Sequence, residues 1–355
     1  MLDLKDREWS EFRIGDLFSL KAGKGKGLNH LKIVPNGISY LGATNRNNAV
    51  LCQVVQNNDL IQPGNCIAFI RNGEGSMGYS VYKAEPFIAS SDLTLGYSDN
   101  LNKYVGLFIT TVADTIRGKY NFNYKRSDSR LAKEILRLPA SDSDNPDWGF
   151  MEDFVRERER GLVAEYAAYA EQILYECEDV GDTVPLKEKK WAEFILPDIF
   201  SIQSTSSSID KIKLNHGSGA YPYITRTERN NGIDSFVREQ KKYQIDVGNC
   251  ITIGLDTQTA FYQPAAFYTG QNIQILRNEN LNPHTAKFLL PLLKNLLTIF
   301  DWGSSGATLT RLRRSKILLP LDDSGKPDWV YMEQYAKRET ARQLKAYLEY
   351  AATGN

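Results

Sequence analysis

Two carboxylates and a lysine at nuclease-like spacing are the first residues in this sequence that could do chemistry. Pro197-Asp198 precedes Glu239-Gln240-Lys241, and such a set could hold Mg²⁺ and orient an attacking water. A glycine-rich stretch, Gly23-Lys24-Gly25-Lys26-Gly27, could cradle phosphate, but it lacks the Gly-Lys-Ser/Thr ending of a P-loop. The three histidines, His30, His216 and His284, are scattered, none with a partner at metal-ligand spacing. None of Cys52, Cys66, Cys177 and Cys250 sits in a Cys-x-x-Cys pair, which disfavours a disulfide framework and a zinc ribbon. No Asn/Asp-Pro-Pro-Tyr/Phe methyltransferase motif and no zinc-deaminase pattern occurs. What remains are polar clusters suited to nucleic acid. Arg46-Asn47-Asn48 and Arg226-Thr-Glu-Arg229-Asn230-Asn231 carry side chains that make bidentate contacts to guanine and adenine edges. Tyr120-Asn-Phe-Asn-Tyr-Lys125-Arg126 interleaves aromatic, amide and basic groups, and Arg311-Leu-Arg313-Arg314-Ser-Lys316 concentrates cations that suit phosphate. The expected DNA-contacting set is Lys24, Lys26, Arg46, Asn47, Asn48, Arg71, Lys125, Arg126, Arg130, Arg226, Arg229, Asn230, Asn231, Arg311, Arg313 and Arg314.

These residues recur because the chain repeats itself. Trp9-Ser-Glu-Phe12-Arg-Ile-Gly-Asp16-Leu-Phe18 returns as Trp191-Ala-Glu-Phe194-Ile-Leu-Pro-Asp198-Ile-Phe200. Tyr40-x-x-x-Thr44-x-Arg46-Asn47-Asn48 returns as Tyr223-x-x-x-Thr227-x-Arg229-Asn230-Asn231, and Gly64-Asn-Cys-Ile67 as Gly248-Asn-Cys-Ile251. Ser127-Asp-Ser-Arg130-Leu131 returns as Thr308-Leu-Thr-Arg311-Leu312, and Pro146-Asp-Trp-Gly-Phe-Met-Glu152 as Pro327-Asp-Trp-Val-Tyr-Met-Glu333. A period of about 182 residues is the mark of an internal duplication. It also weakens the nuclease reading. Asp198 matches Asp16, while only Gln56, Asn57 and Asn58 stand near the equivalent of Glu239 to Lys241. Asp198 is expected to cap or anchor the opening turn of its copy.

Each copy has a β-rich body and a helical tail. Short β-branched runs bounded by Gly or Asn predict strands at Ser39–Leu41, Ile67–Ile70, Ser80–Tyr82 and Leu93–Leu95. In the second copy they lie at Tyr223–Thr225, Cys250–Ile253 and Ile273–Leu276. Asn47-Asn48 and Asn230-Asn231-Gly232 read as turn tips, since Asn and Gly tolerate left-handed backbone. Helices are predicted over Val105–Arg117 and Pro283–Phe300. The tails, Trp148–Glu178 and Trp329–Ala352, carry apolar residues at three-and-four spacing. The first stripe runs through Met151, Phe154, Val155, Leu162, Val163, Tyr166, Ala170, Ile173 and Leu174, broken only by Arg158. Asp147 stands where an N-cap belongs. So long a stripe must bury against something, and the simplest partner is the other tail, as a coiled-coil pair.

Composition sets the remaining bounds. The chain has 355 residues, 42% hydrophobic and 24% charged, near the averages for globular proteins. It has no apolar run long enough for a membrane span and no apolar signal region at its start, so a cytoplasmic location is expected. The 43 basic and 43 acidic residues cancel, which alone argues against a nucleic-acid binder. Their distribution does not. Residues 1–148 are net +2, 149–189 net −6, 190–328 net +3 and 329–355 net +1.

The whole pattern resembles the DNA-specificity subunits of restriction–modification systems, of Type I and, more closely, of the related Type IIB branch. The resemblance rests on the Trp-x-x-Phe-x-x-x-Asp-Leu/Ile-Phe openings at Trp9 and Trp191 and the Tyr-x-x-x-Thr-x-x-Asn-Asn turns at Tyr40 and Tyr223. It also rests on the Arg-Leu then Leu-Pro closings at Arg130–Pro139 and Arg311–Pro320 and on the long helix after each body. The Type I form often closes with Pro-Pro-Leu-x-Glu-Gln, where this chain has Pro-Asp-Trp-x-x-Met-Glu. The resemblance implies an α/β fold with target-recognition domains at 1–147 and 181–328, the latter including the linker. Spacer helices at 148–180 and 329–355 are expected to pair as an antiparallel coiled coil. It implies a non-catalytic subunit that reads a bipartite, asymmetric site on double-stranded DNA and directs adenine methyltransferase/restriction subunits to it. S-adenosylmethionine and Mg²⁺ are then expected on those partners, with no cofactor in this chain. The acidic segment is a candidate docking surface. The competing reading is a duplicated scaffold that joins two protein partners and never touches DNA, which the neutral total charge favours.

Overall fold

The computed structural model describes residues 2–25, 27–177, 181, 184–215, 217, 219–300 and 306–353. Lys26, His216, residues 178–180 of the expected first tail and residues 354–355 of the expected second tail lie outside the described residues. The first copy runs β1 (Trp9–Arg13), α1 (Ile14–Leu17), β2 (Ser19–Ala22), β3 (Ile33–Leu41), β4 (Val50–Val54), β5 (Ile61–Gln62), β6 (Cys66–Ile70), β7 (Ser80–Lys83), β8 (Phe87–Ala89), β9 (Leu93–Tyr97), α2 (Lys103–Thr115), α3 (Asp128–Ala132), β10 (Ile135–Pro139) and α4 (Trp148–Cys177). The second runs β11 (Trp191–Ile195), α5 (Leu196–Ile199), β12 (Ser201–Ser204), β13 (Tyr221–Ile224), β14 (Ile233–Val237), β15 (Cys250–Gly254), β16 (Ala260–Gln263), β17 (Tyr268–Thr269), β18 (Ile273–Arg277), α6 (Pro283–Leu297), α7 (Leu309–Leu312), β19 (Lys316–Pro320) and α8 (Trp329–Ala352). The chain divides into two compact units, Met1–Tyr166 and Ala167–Asn355.

Both copies use the same sheets. A four-stranded antiparallel sheet has the order β2-β9-β6-β7 in one and β12-β18-β15-β16 in the other. A second sheet is built on β4-β3-β8-β5 and on β14-β13-β17, with the β3–β8 and β13–β17 pairs parallel. The first and last strands of each body close on each other, β1 on β10 and β11 on β19. The central strands β6 and β15 are buried along their whole length, as expected where both faces of a sheet are covered.

The repeated motifs turn out to be structural. Trp9 stacks on Phe108 of α2 (6.0 Å) and Trp191 on Phe288 of α6 (6.2 Å). Each indole N–H donates to a backbone carbonyl, Leu4 or Leu186, satisfying the one polar atom of a half-buried ring. In the closing Asp-Trp-x-x-Met-Glu, the aspartate caps the tail helix: Asp147 Oδ1 accepts from Phe150 N and Asp328 Oδ1 from Tyr331 N, both at 2.9 Å, caps worth about 1 kcal/mol each. Met151 and Met332 are fully buried. Glu152 accepts from Asn102 and Glu333 from Asn282 (2.8 and 3.0 Å), and those asparagines are themselves the N-caps of α2 and α6. Each tail is thereby latched to the helix of its own body. Asp16 and Asp198 differ from expectation. They lie in the first turns of α1 and α5, which have no side-chain cap.

The stripe on α4 is interrupted. Its first turns pack into the core of the first body through Met151, Phe154 and Val155, and Ala170 and Cys177 are buried near its end. Between them Leu162 is 67% exposed and Tyr166 43%. The start of α8 packs on α6 instead, with Phe288 against Tyr331 and Tyr335. Leu174 and Cys177 line a cavity with Arg338, Ala341, Arg342 and Lys345 of α8.

All four cysteines are free. Burial pushes the Cys66 thiol up to about 11 and the Cys250 thiol up to about 12. Thiolate is the reactive form. Cys66 and Cys250 are therefore expected to resist an aromatic disulfide reagent at pH 8 until denaturant is added; rapid labelling of either in the native protein would contradict this packing.

Candidate nucleic-acid interface

At one end of the first body three loops converge. The first follows β3, the second joins β6 to β7, and the third lies between α2 and β10. Asn45 N donates to Ser76 Oγ (3.2 Å), and Gly73 lies against Ala43. Gly78 lies against Arg117, whose guanidinium sits over the Tyr79 ring at 4.3 Å. Arg46 is exposed on the first loop. Arg71 opens the second, bonded through Nη1 to Asp128 (2.7 Å) and through Nη2 to the Ser91 carbonyl, with its Nε buried and unpartnered. The third loop presents Lys119, Lys125 and Arg130; Arg130 donates to the Lys125 carbonyl and covers the Tyr124 ring at 4.0 Å.

Lys24 joins this end by a close backbone approach. Gly23 N donates to Leu93 O and Gly25 N to Ala89 O, so Lys24 runs beside the turn that holds Arg71. A Cβ at either glycine would fall 2.2 Å from a carbonyl oxygen. These glycines serve strand packing, not a phosphate cradle. In the second copy the matching serines are equally pinned, Ser206 N on Asp246 and Ser207 Oγ near Thr269.

The Asn turns are left-handed as expected. Asn47, Asn48 and Ala49 have φ of 47°, 50° and 62°, and Asn230, Asn231 and Gly232 of 48°, 54° and 80°. Asn47 Nδ2 donates to Val50 O and Asn48 Nδ2 to Tyr82 O. These asparagines are selected at least by the backbone, though all four remain exposed.

Arg126 requires correction. Expected to contact DNA, it is fully buried. Its Nη2 and Nε donate to Glu134 at 2.6 and 3.2 Å, and its Nη1 to the Gly78 and Tyr79 carbonyls and to Ser80 Oγ. Tyr120 OH donates to the same carboxylate. Burial and the adjacent Glu134 push the Tyr120 hydroxyl well above its ordinary range. No atom of Arg126 is available to a ligand, so it anchors the third loop from below.

The second body gathers the same loops with other residues. Arg226 pairs with Asp256, and Arg229 is exposed beside it. Ala307 N donates to Leu255 O, and Arg311 Nη1 to Gly306 O. Arg313 donates to Ile202 O, and Arg314 is exposed. By repeat position, Arg71 and Asp128 of the first copy become Leu255 and Leu309, and Arg126 and Glu134 become Ala307 and Ser315. Sequence reading missed both exchanges, although each pair changes together. Among the described residues no group of three or more His, Cys, Asp or Glu could hold a metal, and no helix is long and apolar enough to cross a membrane.

Duplicated α/β bodies with variable, cation-bearing loops at one end and a long helix behind each define the class of a modular recognition subunit. Residues 6–165 and 188–350 both match the Type I restriction modification DNA specificity domain, and the chain belongs to that family. It is a restriction–modification specificity subunit with two recognition domains. It is similar to the specificity subunit S.BcgI of a Type II restriction enzyme from Heyndrickxia coagulans, 24% identical over 342 residues that cover 93% of this chain and 94% of the relative. Its fold is similar to that of the Type-I restriction-modification system S subunit from M. genitalium, with a TM-score of 0.57 at 14% identity, covering 99% of this chain and 94% of that one.

Proposed function

We propose that this subunit reads a bipartite, asymmetric site on double-stranded DNA and directs adenine methyltransferase and restriction subunits to it. One observation carries the reading: both bodies bring the same three loops together, yet furnish them differently, as two modules reading different half-sites must. Residues 1–147 and 181–328 are the two recognition modules, and the helices at 148–180 and 329–355 are the spacer, paired antiparallel. The shared cavity lining of Leu174 and Cys177 with Arg338 to Lys345 supports that pairing. The contacting set is the one expected from sequence without Arg126. S-adenosylmethionine and Mg²⁺ belong to the partners, and this chain supplies recognition, not chemistry. The Pro-Asp-Trp-x-x-Met-Glu closing and the Type II relative favour the Type IIB branch.

Exchange of residues 1–147 for a homologous domain is expected to change one half of the methylated motif and leave the other. Methylome sequencing of cells carrying the hybrid and its methyltransferase partner reads this directly; alteration of both halves would overturn the modular reading.

Arg130 and Arg311 occupy equivalent positions and suit phosphate, the contact common to any sequence. Arg311→Ala is expected to weaken binding to all duplexes alike and to lower the salt slope by about one unit. A changed base preference at an unchanged slope would reject the phosphate role.

A further inference from the structure

The third loop of the first body holds a feature that phosphate contact does not explain. Phe122 is 83% exposed at the tip of a tight hairpin. The hairpin is not loose. Asn121 and Tyr124 bond to each other's backbone (3.2 and 2.9 Å), and Asn121 Oδ1 accepts from Asn123 N and Tyr124 N. Tyr120 stacks on Tyr124 at 6.0 Å. Below, Tyr120 and Arg126 are tied to the buried Glu134 carboxylate. A buried ion pair is costly to desolvate; here it holds the base of a hairpin whose tip is apolar and wet.

The surroundings of the tip are cationic. Residues 117–126 contain Arg117, Lys119, Lys125 and Arg126 and no acid. Lys125 Nζ lies 5.6 Å from the Phe122 ring. The second copy is built otherwise. Its loop has Asp301 and Trp302 in place of this run of cations and lacks the anchoring charges.

We infer that Phe122 is a wedge that enters between stacked base pairs of the half-site read by the first domain, with Arg117, Lys119 and Lys125 holding the flanking phosphates. The inference rests on the reading of this chain as a DNA-binding subunit. Apolar side chains inserted at a base step unstack and kink the duplex. The cost is least at TA and CA/TG steps, so Phe122 would favour a half-site containing such a step without forming a hydrogen bond to it.

The test uses the full chain with its methyltransferase partner, on duplexes carrying the site found by methylome sequencing. The favoured steps each contain a thymine, and permanganate oxidises thymines that have lost their stacking. Wild type and F122W are expected to render one thymine reactive, in the first half-site only, and F122A to leave it protected. F122A should bind about ten-fold more weakly at an unchanged salt slope. K125A should lower the slope by about one unit and keep the reactive thymine. Native affinity and footprint in F122A would overturn the wedge while leaving DNA recognition intact. So would a loss confined to association with the methyltransferase, which would make the hairpin a protein-docking element. Failure of the wild-type assembly to bind DNA at low salt would instead overturn the proposed function, and the wedge with it.

Discussion

Arg126→Ala is expected to destabilise the first domain by about 3 kcal/mol, because it strips the buried Glu134 carboxylate of its bidentate partner and leaves only the half-exposed Lys119 ammonium, 3.7 Å away, as counter-charge. The carbonyls of Gly78 and Tyr79 lose a donor in the same step. The second copy indicates the remedy. It carries Ala307 and Ser315 at these positions, both buried, and Ser315 Oγ donates locally to the Arg311 carbonyl. The double variant Arg126→Ala/Glu134→Ser removes both charges and should therefore be less destabilised than Arg126→Ala alone. Hydrogen exchange in β6 and α2, followed through denaturant, measures the first domain within the whole chain. A single variant no worse than the double would show that the pair is not the anchor described.

A two-residue insertion near Glu165 has the other large expected effect: loss of site-specific methylation. The helix α4 is continuous over 30 residues, about 45 Å, with buried contacts near its two ends. Two added residues rotate one end against the other by about 200°. The apolar groups at Met151 and at Ala170 then no longer keep the mutual phase that the proposed spacer requires. Four added residues turn the helix by about 400°, nearly one full turn, and lengthen it by about 6 Å. That variant is expected to keep both half-sequences and gain one to two spacer base pairs, at about 3.4 Å each. Methylome sequencing distinguishes the cases. An unchanged spacer in the four-residue variant would reduce these helices to docking surfaces.

How much of this the sequence discloses depends on the range of the interaction. The strands β3, β6, β7 and β9 and the α2 and α6 helices follow from local pattern, although β3 starts at Ile33, ahead of the expected Ser39, and the duplication doubles every signal. The left-handed turns at Asn47 and Asn230 are legible because few residues tolerate that backbone. The burial of Arg126 is not, since Lys125 and Ser127 on either side are exposed and its partner is eight residues away beyond a helix. Comparison of the copies could have found it, because Arg126 and Glu134 are lost together. The exposure of Leu162 is equally hidden, because a stripe shows which face is apolar and not where along its length the cover stops.

The latch between each body and its tail also bears on how such a chain can change over generations. The capping aspartate, the buried methionine and the glutamate that holds the N-cap asparagine are the same residues at Asp147, Met151 and Glu152 as at Asp328, Met332 and Glu333. A genetic crossover inside that stretch joins either body to either helix with the aspartate cap, the buried methionine and the glutamate–asparagine bond all restored. Such a splice point preserves the latch, so on the proposed reading recombination there would rewrite half of a recognition address in one event.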